Sequence, residues 1–271
     1  HRADIGADRP GPCLALRADM DALPMDDLCG KPHASTIPGF CHACGHDGHT
    51  ACLAGAATLL TAFPERAVGP IRLIFQPAEE KIGGAQRMIQ EGALADPQPK
   101  AIFGLHCFPQ LALGTVGALA GPALASTDTI NITIKGRSTH AAMPHKGIDP
   151  IFVAAHTITA LQGYVARMRP PFEPTLLTIG NLHAGTTHNI IPDTATMNGT
   201  LRAYSQEDRD AAKGAIRQIA THTAAAFGAT AEVEIDEGYP VTFNNPDVTT
   251  YALNTARQAL GPDNATTNVA R

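Results

Sequence analysis

The chain has 271 residues, of which 44% are hydrophobic and 17% charged, and its formal net charge is -5 at pH 7. This composition excludes a disordered protein, and the length allows two domains with separate cores. Because no basic stretch is present, neither nucleic acid nor an anionic membrane is an expected partner. No apolar run approaches the roughly 20 residues that a membrane-spanning helix needs. The six unevenly spaced cysteines indicate reduced thiols in a cytoplasm.

The chain does not begin with Met, and no signal-peptide pattern opens it, so we expect an excerpt of a longer protein, cut at both ends. Strand and helix patterns alternate over its first part. Helical spacing predicts helices at residues 48–62 and 84–92, and apolar runs predict strands at 13–18, 71–75 and 101–107. This alternation predicts an α/β domain with a largely parallel sheet.

The pattern changes after about residue 119. Residues 129–135 alternate polar and apolar, which is typical of a strand with one solvated face. With the elements that follow, the order is β-α-β-β-α-β, the ferredoxin-like arrangement. Those elements are helices at 150–167 and 206–227 and strands at 175–182, 194–203 and 231–235.

The α/β pattern resumes at about residue 237, with a helix predicted at 247–260. We therefore expect a small α+β unit inserted into a larger α/β domain. The predicted boundaries place the first part of the larger domain at 1–118, the insert at 119–236 and an incomplete second part at 237–271.

The stretch FCHACGHDGH, residues 40–49, is the densest cluster of metal-binding residue types. Cys44 and His46 are two residues apart, so a thiolate and an imidazole can face one cation from an extended loop. This pair favours zinc or another borderline metal over calcium or magnesium. Asp47 and His49 are close enough to support the ligands or to cap the following helix. The alternative interpretation is a purely structural loop.

Acidic and imidazole side chains follow the predicted strands. Glu79 and Glu80, in the motif QPAEE, come directly after strand 71–75, and His106 ends another strand. Ligands of α/β folds lie at the carboxyl ends of parallel strands, so Asp19, Glu80 and His106 are predicted to meet at one sheet edge. One glutamate would bind metal and the other would act as general base for an activated water. The alternatives are a solvated acidic turn and an ordinary core histidine.

A competing motif is the C-x-x-C formed by Cys41 and Cys44, which suits a thioredoxin-like redox pair or half of a zinc ribbon. A ribbon requires a second C-x-x-C, and the sequence has none. The redox interpretation leaves QPAEE and His106 unexplained. Motifs of serine hydrolases, H-E-x-x-H metalloproteases and phosphate-binding loops are absent.

Six motifs, in this order, resemble the M20 metallopeptidase family: RADMDALP, HACGHDGHT, QPAEE, GLH, GRSTHAAMPHKGIDP and HNIIPD. The resemblance extends from about Leu14 to Ala203. It is strongest to the amidohydrolases that include hippurate hydrolase, N-acyl-amino-acid amidohydrolase and the plant indoleacetyl-amino-acid hydrolases. It implies a zinc-peptidase-like catalytic domain plus an inserted ferredoxin-like α+β domain that serves as a lid and forms a homodimer.

The resemblance implies a site for two divalent metal ions per subunit, such as Zn, Mn, Ni or Co. The implied ligands are Cys44, His46, Glu80 and His106. Glu79 matches the general base. Asp19 matches an acidic residue that orients the site.

In the insert, His140 matches a histidine that reaches the partner subunit's active site and polarises the scissile carbonyl. Asn189 matches a polar residue beside the substrate. A surface histidine and a plain turn residue are the alternatives. The implied reaction is hydrolysis of the amide bond of N-acyl amino acids, including hippurate-like substrates.

The family also has a fifth metal ligand, a late histidine, and such a motif is not reached by Arg271. We therefore expect a truncated catalytic domain. Two rival functions are a C-x-x-C thiol redox module and a catalytically impaired relative that acts as a metal- or small-molecule-binding dimer.

Overall fold

The computed structural model describes residues 1–80 and 83–269. These residues form two compact units, which divide between Leu113 and Gly114. Both units combine helices with β-sheet, so the predicted α/β class is confirmed. Among the described residues, no helix combines the length and the apolar character that crossing a membrane requires.

The first unit is built on a four-stranded sheet with helices between the strands. Its elements are, in chain order, β1 (Arg2–Ile5), β2 (Leu14–Asp19), α1 (His46–Ala62), β3 (Ile71–Gln76), α2 (Gly84–Gln90) and β4 (Ala101–Gly104). The strand order is β1-β3-β2-β4. β2 runs parallel to β3 and to β4, whereas β1 is antiparallel to β3. The sheet is therefore largely parallel, as the alternating pattern predicts.

The core of this unit is small. Ala18 of β2, Leu53 of α1 and Leu73 of β3 are buried together. Beside them, the fully buried Arg72 of β3 forms a bidentate pair with Asp4 of β1, with N–O distances of 2.8 and 3.0 Å. Arg72 also donates to backbone carbonyls of the segment that leads to β4, those of Ala93, Ala95, Asp96 and Pro97.

Several element bounds of the first unit differ from the sequence prediction, and one of its strands was not predicted at all. β1 was not predicted, because RADI is short and polar, and its pairing with β3 makes it a strand. Helix α1 begins at His46, because Gly45 before it adopts a left-handed backbone with φ of 86°. Strand β4 ends at Gly104, so His106 lies in the loop beyond the strand rather than on it.

The described residues of the second unit form thirteen α-helices and β-strands. In chain order they are β5 (Val116–Gly117), β6 (Gly121–Leu124), β7 (Asp128–Lys135), β8 (Thr139–His140), α3 (Pro150–Arg167), β9 (Thr175–Ala184), β10 (Ile190–Ile191), β11 (Thr194–Ala203), α4 (Gln206–Ala226), β12 (Thr230–Glu237), β13 (Thr242–Asn244), α5 (Pro246–Leu260) and β14 (Ala265–Thr266).

The main sheet of this unit is antiparallel, in the order β12-β7-β11-β9. Ile130, Ile132 and Ile134 alternate along β7 and are buried in one cluster with Leu161 of α3 and Ile216 of α4. The two helices thus cover the same sheet face. The succession β7-α3-β9-β11-α4-β12 is the predicted ferredoxin-like arrangement.

Three two-stranded pairs complete the second unit. β8 pairs with β10, so that His140 lies opposite Ile190. β6 pairs with β13 in antiparallel fashion, and β5 pairs with β14 in parallel. The segments before and after the main sheet are therefore joined to each other. The bounds of α5 agree to within one residue with the helix predicted at 247–260.

Candidate metal centre

Three parallel strands of the first unit direct polar side chains to one edge of the sheet. Asp19 is the last residue of β2, Glu80 follows β3, and His106 follows β4. β2 lies between β3 and β4, so the carboxyl ends of all three are adjacent. His46, the first residue of α1, is fully buried at the same edge and lies 3.6 Å from Asp19, between Nε2 and Oδ2.

The four predicted metal ligands lie together in the structure. Ligand atoms of Cys44, His46 and Glu80 are all within 4.8 Å of one another. A second group with the same spacing contains His46 and His106, together with Asp19 and His49. The two groups share His46, and Cys44 Sγ lies 3.5 Å from His106 Nε2. A thiol, two imidazoles and a carboxylate form a donor set suited to zinc-like cations.

Two of these side chains have buried polar atoms that need a partner. His46 Nδ1 donates to the backbone carbonyl of Asp21 at 2.9 Å, which leaves a lone pair on Nε2. His46 Nε2 and Glu80 Oε1 lie 3.8 Å apart, and neither has a hydrogen-bond partner among the described residues. An unpaired buried acceptor is costly, and a cation between the two atoms would satisfy both. The residues present therefore fit a metal ion.

His49 belongs to the same cluster but has no ring nitrogen to spare. Its Nδ1 donates to Asp19 Oδ1 at 2.6 Å, and its Nε2 accepts the backbone N–H of Cys107 at 2.7 Å. His49 thus connects the end of β2 to the residue beside His106 and supports the ligands. It does not cap α1, because Gly45 occupies the cap position without a side-chain bond.

Asp19 is almost fully buried, and its carboxylate accepts two side-chain hydrogen bonds. One comes from His49 and the other from Arg17, at 2.8 Å. Burial raises the pKa of the Asp19 carboxyl, but the hydrogen bond from His49 and the charge of Arg17 outweigh burial and hold the pKa below its usual value. An ionised Asp19 is thereby available to fix the orientation of His49.

Electrostatics distinguish Glu79 and Cys44 from ordinary surface groups. Burial raises the pKa of Glu79, and the neighbouring charge of Glu80 raises it further. A carboxylate with a raised pKa is a better proton acceptor. Burial and then the charge of Glu80 also raise the pKa of the Cys44 thiol to about 11. Without metal this thiol is protonated at neutral pH, so a cation must displace its proton.

Asp21 is a site residue that the sequence reasoning missed. Its two carboxylate oxygens accept the backbone N–H groups of Glu79 and Glu80, each at 3.0 Å. The available signal was the second acidic residue of RADMDALP, two positions after Asp19 in the turn that follows a strand.

His140 and Asn189 lie together in the second unit. His140 is exposed on β8, and the backbone N–H of Ala141 donates to the carbonyl of Asn189 at 3.0 Å. The side chain of Asn189 accepts a hydrogen bond from the hydroxyl of Thr187 at 2.9 Å. The two residues therefore belong to one exposed corner, and their predicted roles stay predictions.

Cys41 and Cys44, the C-x-x-C pair, have different surroundings. Cys41 pairs with Leu23 through backbone hydrogen bonds of 2.9 and 3.0 Å. Its thiol has a raised pKa through burial and the charge of Asp27, whereas Cys44 faces Glu80 and His106. These surroundings favour a ligand role for Cys44 alone.

Comparison with known proteins connects this site to a family. The chain matches peptidase family M20/M25/M40 over residues 15–270. It is 42% identical to N-acetyl-L-cysteine deacetylase of Bacillus subtilis strain 168, over 95% of this chain and 61% of that protein. It is 40% identical to IAA-amino acid hydrolase ILR1-like 4 of Arabidopsis thaliana, over 93% of this chain and 58% of that protein.

A solved structure agrees with these relatives. The crystal structure of the Bacillus subtilis YXEP protein, a dinuclear metal binding peptidase from the M20 family, matches with a TM-score of 0.81 and 38% identity, over 95% of this chain and 66% of that chain. The chain spans about three fifths of the length of the curated relatives it matches. The resemblance and the zinc-peptidase-like fold with a ferredoxin-like domain are confirmed, and the chain belongs to peptidase family M20, in its amidohydrolase branch.

Proposed function

We propose that the protein is a metal-dependent amidohydrolase that cleaves the amide bond of N-acyl amino acids. The observation that carries the proposal is the convergence of Cys44, His46, Glu80 and His106, with two unpaired buried ligand atoms, beside Glu79. The names of both relatives, a deacetylase of N-acetyl-L-cysteine and a hydrolase of IAA-amino acid, support this substrate class. Hippurate-like substrates are part of the proposal.

The four clustered side chains would hold two divalent ions, with zinc, manganese, nickel or cobalt as candidates. Such ions lower the pKa of water and polarise a carbonyl oxygen. Glu79 takes a proton from the attacking water and delivers that proton to the departing amide nitrogen. The raised pKa of Glu79 makes it a better proton acceptor. Asp19 and His49 keep the ligands in place through the bond between them and the bond to Cys107.

His140 and Asn189, the remaining predicted site residues, lie in the predicted insert. Residues 119–236 would form a lid and homodimer module between the two parts, 1–118 and 237–271, of the catalytic domain. His140 would polarise the scissile carbonyl in the partner's site, and Asn189 would contact the substrate. Closure of the lid would exclude water from the reaction. A cytoplasmic location stays a prediction from the cysteine spacing.

The first test separates the ligand role of Cys44 from a redox role. Wild-type protein loaded with each candidate metal is assayed on a panel of N-acyl amino acids, and bound metal is measured by elemental analysis. Cys44→Ser should abolish hydrolysis and sharply reduce bound metal, because a serine hydroxyl is a far poorer ligand. Because the Cys44 thiol has a pKa of about 11, wild-type metal affinity should also rise with pH, and this dependence should weaken in Cys44→Ser.

Cys41→Ser is the matched control, since it removes the other thiol of the C-x-x-C. It should retain metal and activity. Equal damage by both substitutions, or a wild-type protein that hydrolyses no N-acyl amino acid with any metal, would contradict the proposed function.

A further inference from the structure

Asp21 contacts three parts of the metal centre without belonging to the ligand cluster. Its Oδ1 accepts the backbone N–H of Glu79 and its Oδ2 that of Glu80, both at 3.0 Å. Its backbone carbonyl accepts Nδ1–H of His46 at 2.9 Å. One residue of the turn after β2 therefore holds both the acidic pair after β3 and the imidazole that begins α1.

The acidic pair occupies a backbone that needs such support. Ala78, directly before Glu79, has φ of +54°, in the left-handed region that residues with a side chain rarely adopt. A backbone of this kind persists only where the surrounding structure fixes it. The next two amides along the chain, those of Glu79 and Glu80, are both fixed by the Asp21 carboxylate.

The two glutamates leave this turn in different environments. Glu80 Oε1 reaches within 3.8 Å of His46 Nε2 and belongs to the group with Cys44. Glu79 belongs to neither ligand group. The two glutamates are adjacent in sequence, so the backbone conformation of the turn determines which way each carboxylate faces.

We propose that Asp21 is the positioning residue of the acidic pair. It holds the backbone amides of Glu79 and Glu80 so that Glu80 faces the metal and Glu79 stays free to accept a proton. This inference rests on the proposed function, because it concerns the roles assigned there. The stability of the turn itself can be measured without any reaction.

The carboxylate of Asp21 accepts one backbone amide on each of its two oxygens. A carboxylate offers an acceptor to each of two N–H groups, whereas an asparagine offers one oxygen and one NH₂. Asp21→Asn therefore keeps the shape of the side chain and sets a donor against one amide.

Asp27 provides a matched control in the same loop. Its carboxylate also accepts two backbone amides, those of Cys29 and Ser35, each at 2.9 Å. Asp27→Asn therefore replaces a carboxylate that accepts two backbone amides, as Asp21→Asn does. It leaves the acidic pair unchanged. The experiment compares wild type, Asp21→Asn and Asp27→Asn as metal-loaded protein.

Three quantities are measured: amide hydrogen exchange, metal affinity by competition with a chelator, and steady-state kinetics on N-acyl amino acids. In Asp21→Asn we expect the amides of Glu79 and Glu80 to exchange at least about tenfold faster. Metal affinity should fall about tenfold, and kcat at saturating metal should fall about 10- to 100-fold with KM within about twofold. Asp27→Asn should speed exchange only at Cys29 and Ser35 and keep wild-type kcat.

Wild-type exchange at Glu79 and Glu80 in Asp21→Asn would overturn the inference, as would faster exchange with unchanged metal affinity and kcat. If Asp21→Asn fails to fold, Asp21→Glu replaces it, since it keeps the charge and moves the carboxylate by one methylene. Asp21→Glu should show exchange rates and kcat between those of wild type and Asp21→Asn. The inference would be overturned if both amides became exposed while metal affinity and kcat stayed at wild-type values. If wild type hydrolyses no N-acyl amino acid, the proposed function fails, while exchange and metal affinity still decide the role of Asp21.

Discussion

His46 and His49 are three residues apart at the start of α1, and both are buried, yet their ring nitrogens have different partners. His46 uses one nitrogen for a backbone carbonyl and keeps the other unpaired beside Glu80. His49 uses both, for Asp19 and for the amide of Cys107. A histidine serves a metal only if one nitrogen keeps its lone pair, so hydrogen bonding decides which of two similar residues is the candidate ligand.

The same logic separates Glu79 from Glu80, and it predicts two different failures. Glu79→Gln should keep bound metal and substrate affinity while kcat falls by a factor of about 10²–10⁴, the usual contribution of a general base. Glu80→Gln should lose metal as well, because its carboxylate faces His46 and Cys44. Elemental analysis and steady-state kinetics on the two variants make the comparison.

Each glutamate variant is the control for the other, since the substitution, the turn and the lost charge are the same. Equal metal loss in both variants would show that the assigned roles are wrong. Unchanged kcat in Glu79→Gln would show that another group accepts the proton.

At this scale the sequence predicted which residues would cluster, but not how they are connected. Spacing predicted that Cys44 and His46 face one cation, and strand ends predicted that Asp19, Glu80 and His106 meet at one edge. The family resemblance was needed to join Cys44, His46, Glu80 and His106 into one ligand set. Asp21 escaped notice because its role depends on bonds to backbone amides of residues 58 and 59 positions away. Such bonds leave no pattern of side-chain types in a single sequence.

Among the secondary-structure elements, β3 does the most to organise the first unit. It carries Arg72 as its second residue and leads into the turn that holds the acidic pair. Arg72 links β1, through Asp4, to the segment before β4, and β4 is one of the three strands whose carboxyl ends meet at the metal edge. This buried arginine was not predicted, because an apolar run such as IRLIF gives no sign of the partner for its one charge.

The pair formed by Asp4 and Arg72 predicts a pH-dependent contribution to stability. The hydrogen bond from Arg72 is the main reason that the pKa of Asp4 lies below its usual value. Ionised Asp4 therefore stabilises the fold above about pH 4, the pKa range of an unfolded aspartate, and this stabilisation is lost as the pH falls through the folded pKa. Asp4→Asn should lower the free energy of unfolding by about 2 kcal/mol at pH 7, because it leaves a buried guanidinium without its counterion.

Urea unfolding at a series of pH values measures this effect, with a chelator present so that bound metal does not add to stability. The exposed Asp8 provides the control: Asp8→Asn changes the net charge equally and should unfold as wild type does. The difference between wild type and Asp4→Asn should shrink below pH 4, where wild-type Asp4 also becomes neutral. A difference that is the same at pH 3 and pH 7 would argue against the ion pair.

For the whole molecule, periodicity was most informative where the elements are long. The alternation in β7 and the spacing of α3 and α4 predicted the ferredoxin-like unit with nearly correct bounds. The parallel pair of β5 and β14 was not predicted, since each strand has two residues and almost 150 positions separate them. Pairing of this kind is set by the surrounding fold rather than by local propensity.

The last prediction concerns His140, which lies on β8 in the second unit, whereas the metal cluster belongs to the first. The family resemblance implies that this histidine serves the partner subunit's site. His140→Ala should therefore lower kcat without loss of metal, and His145→Ala, which removes a nearby exposed histidine, should not. Mixing inactive His140→Ala with inactive Glu79→Gln protein should restore activity, because one site of the mixed dimer has both wild-type residues. That heterodimer should reach at most about half the activity of a wild-type dimer. If differently tagged subunits exchange and no activity returns, His140 acts within its own chain or has no part in the reaction.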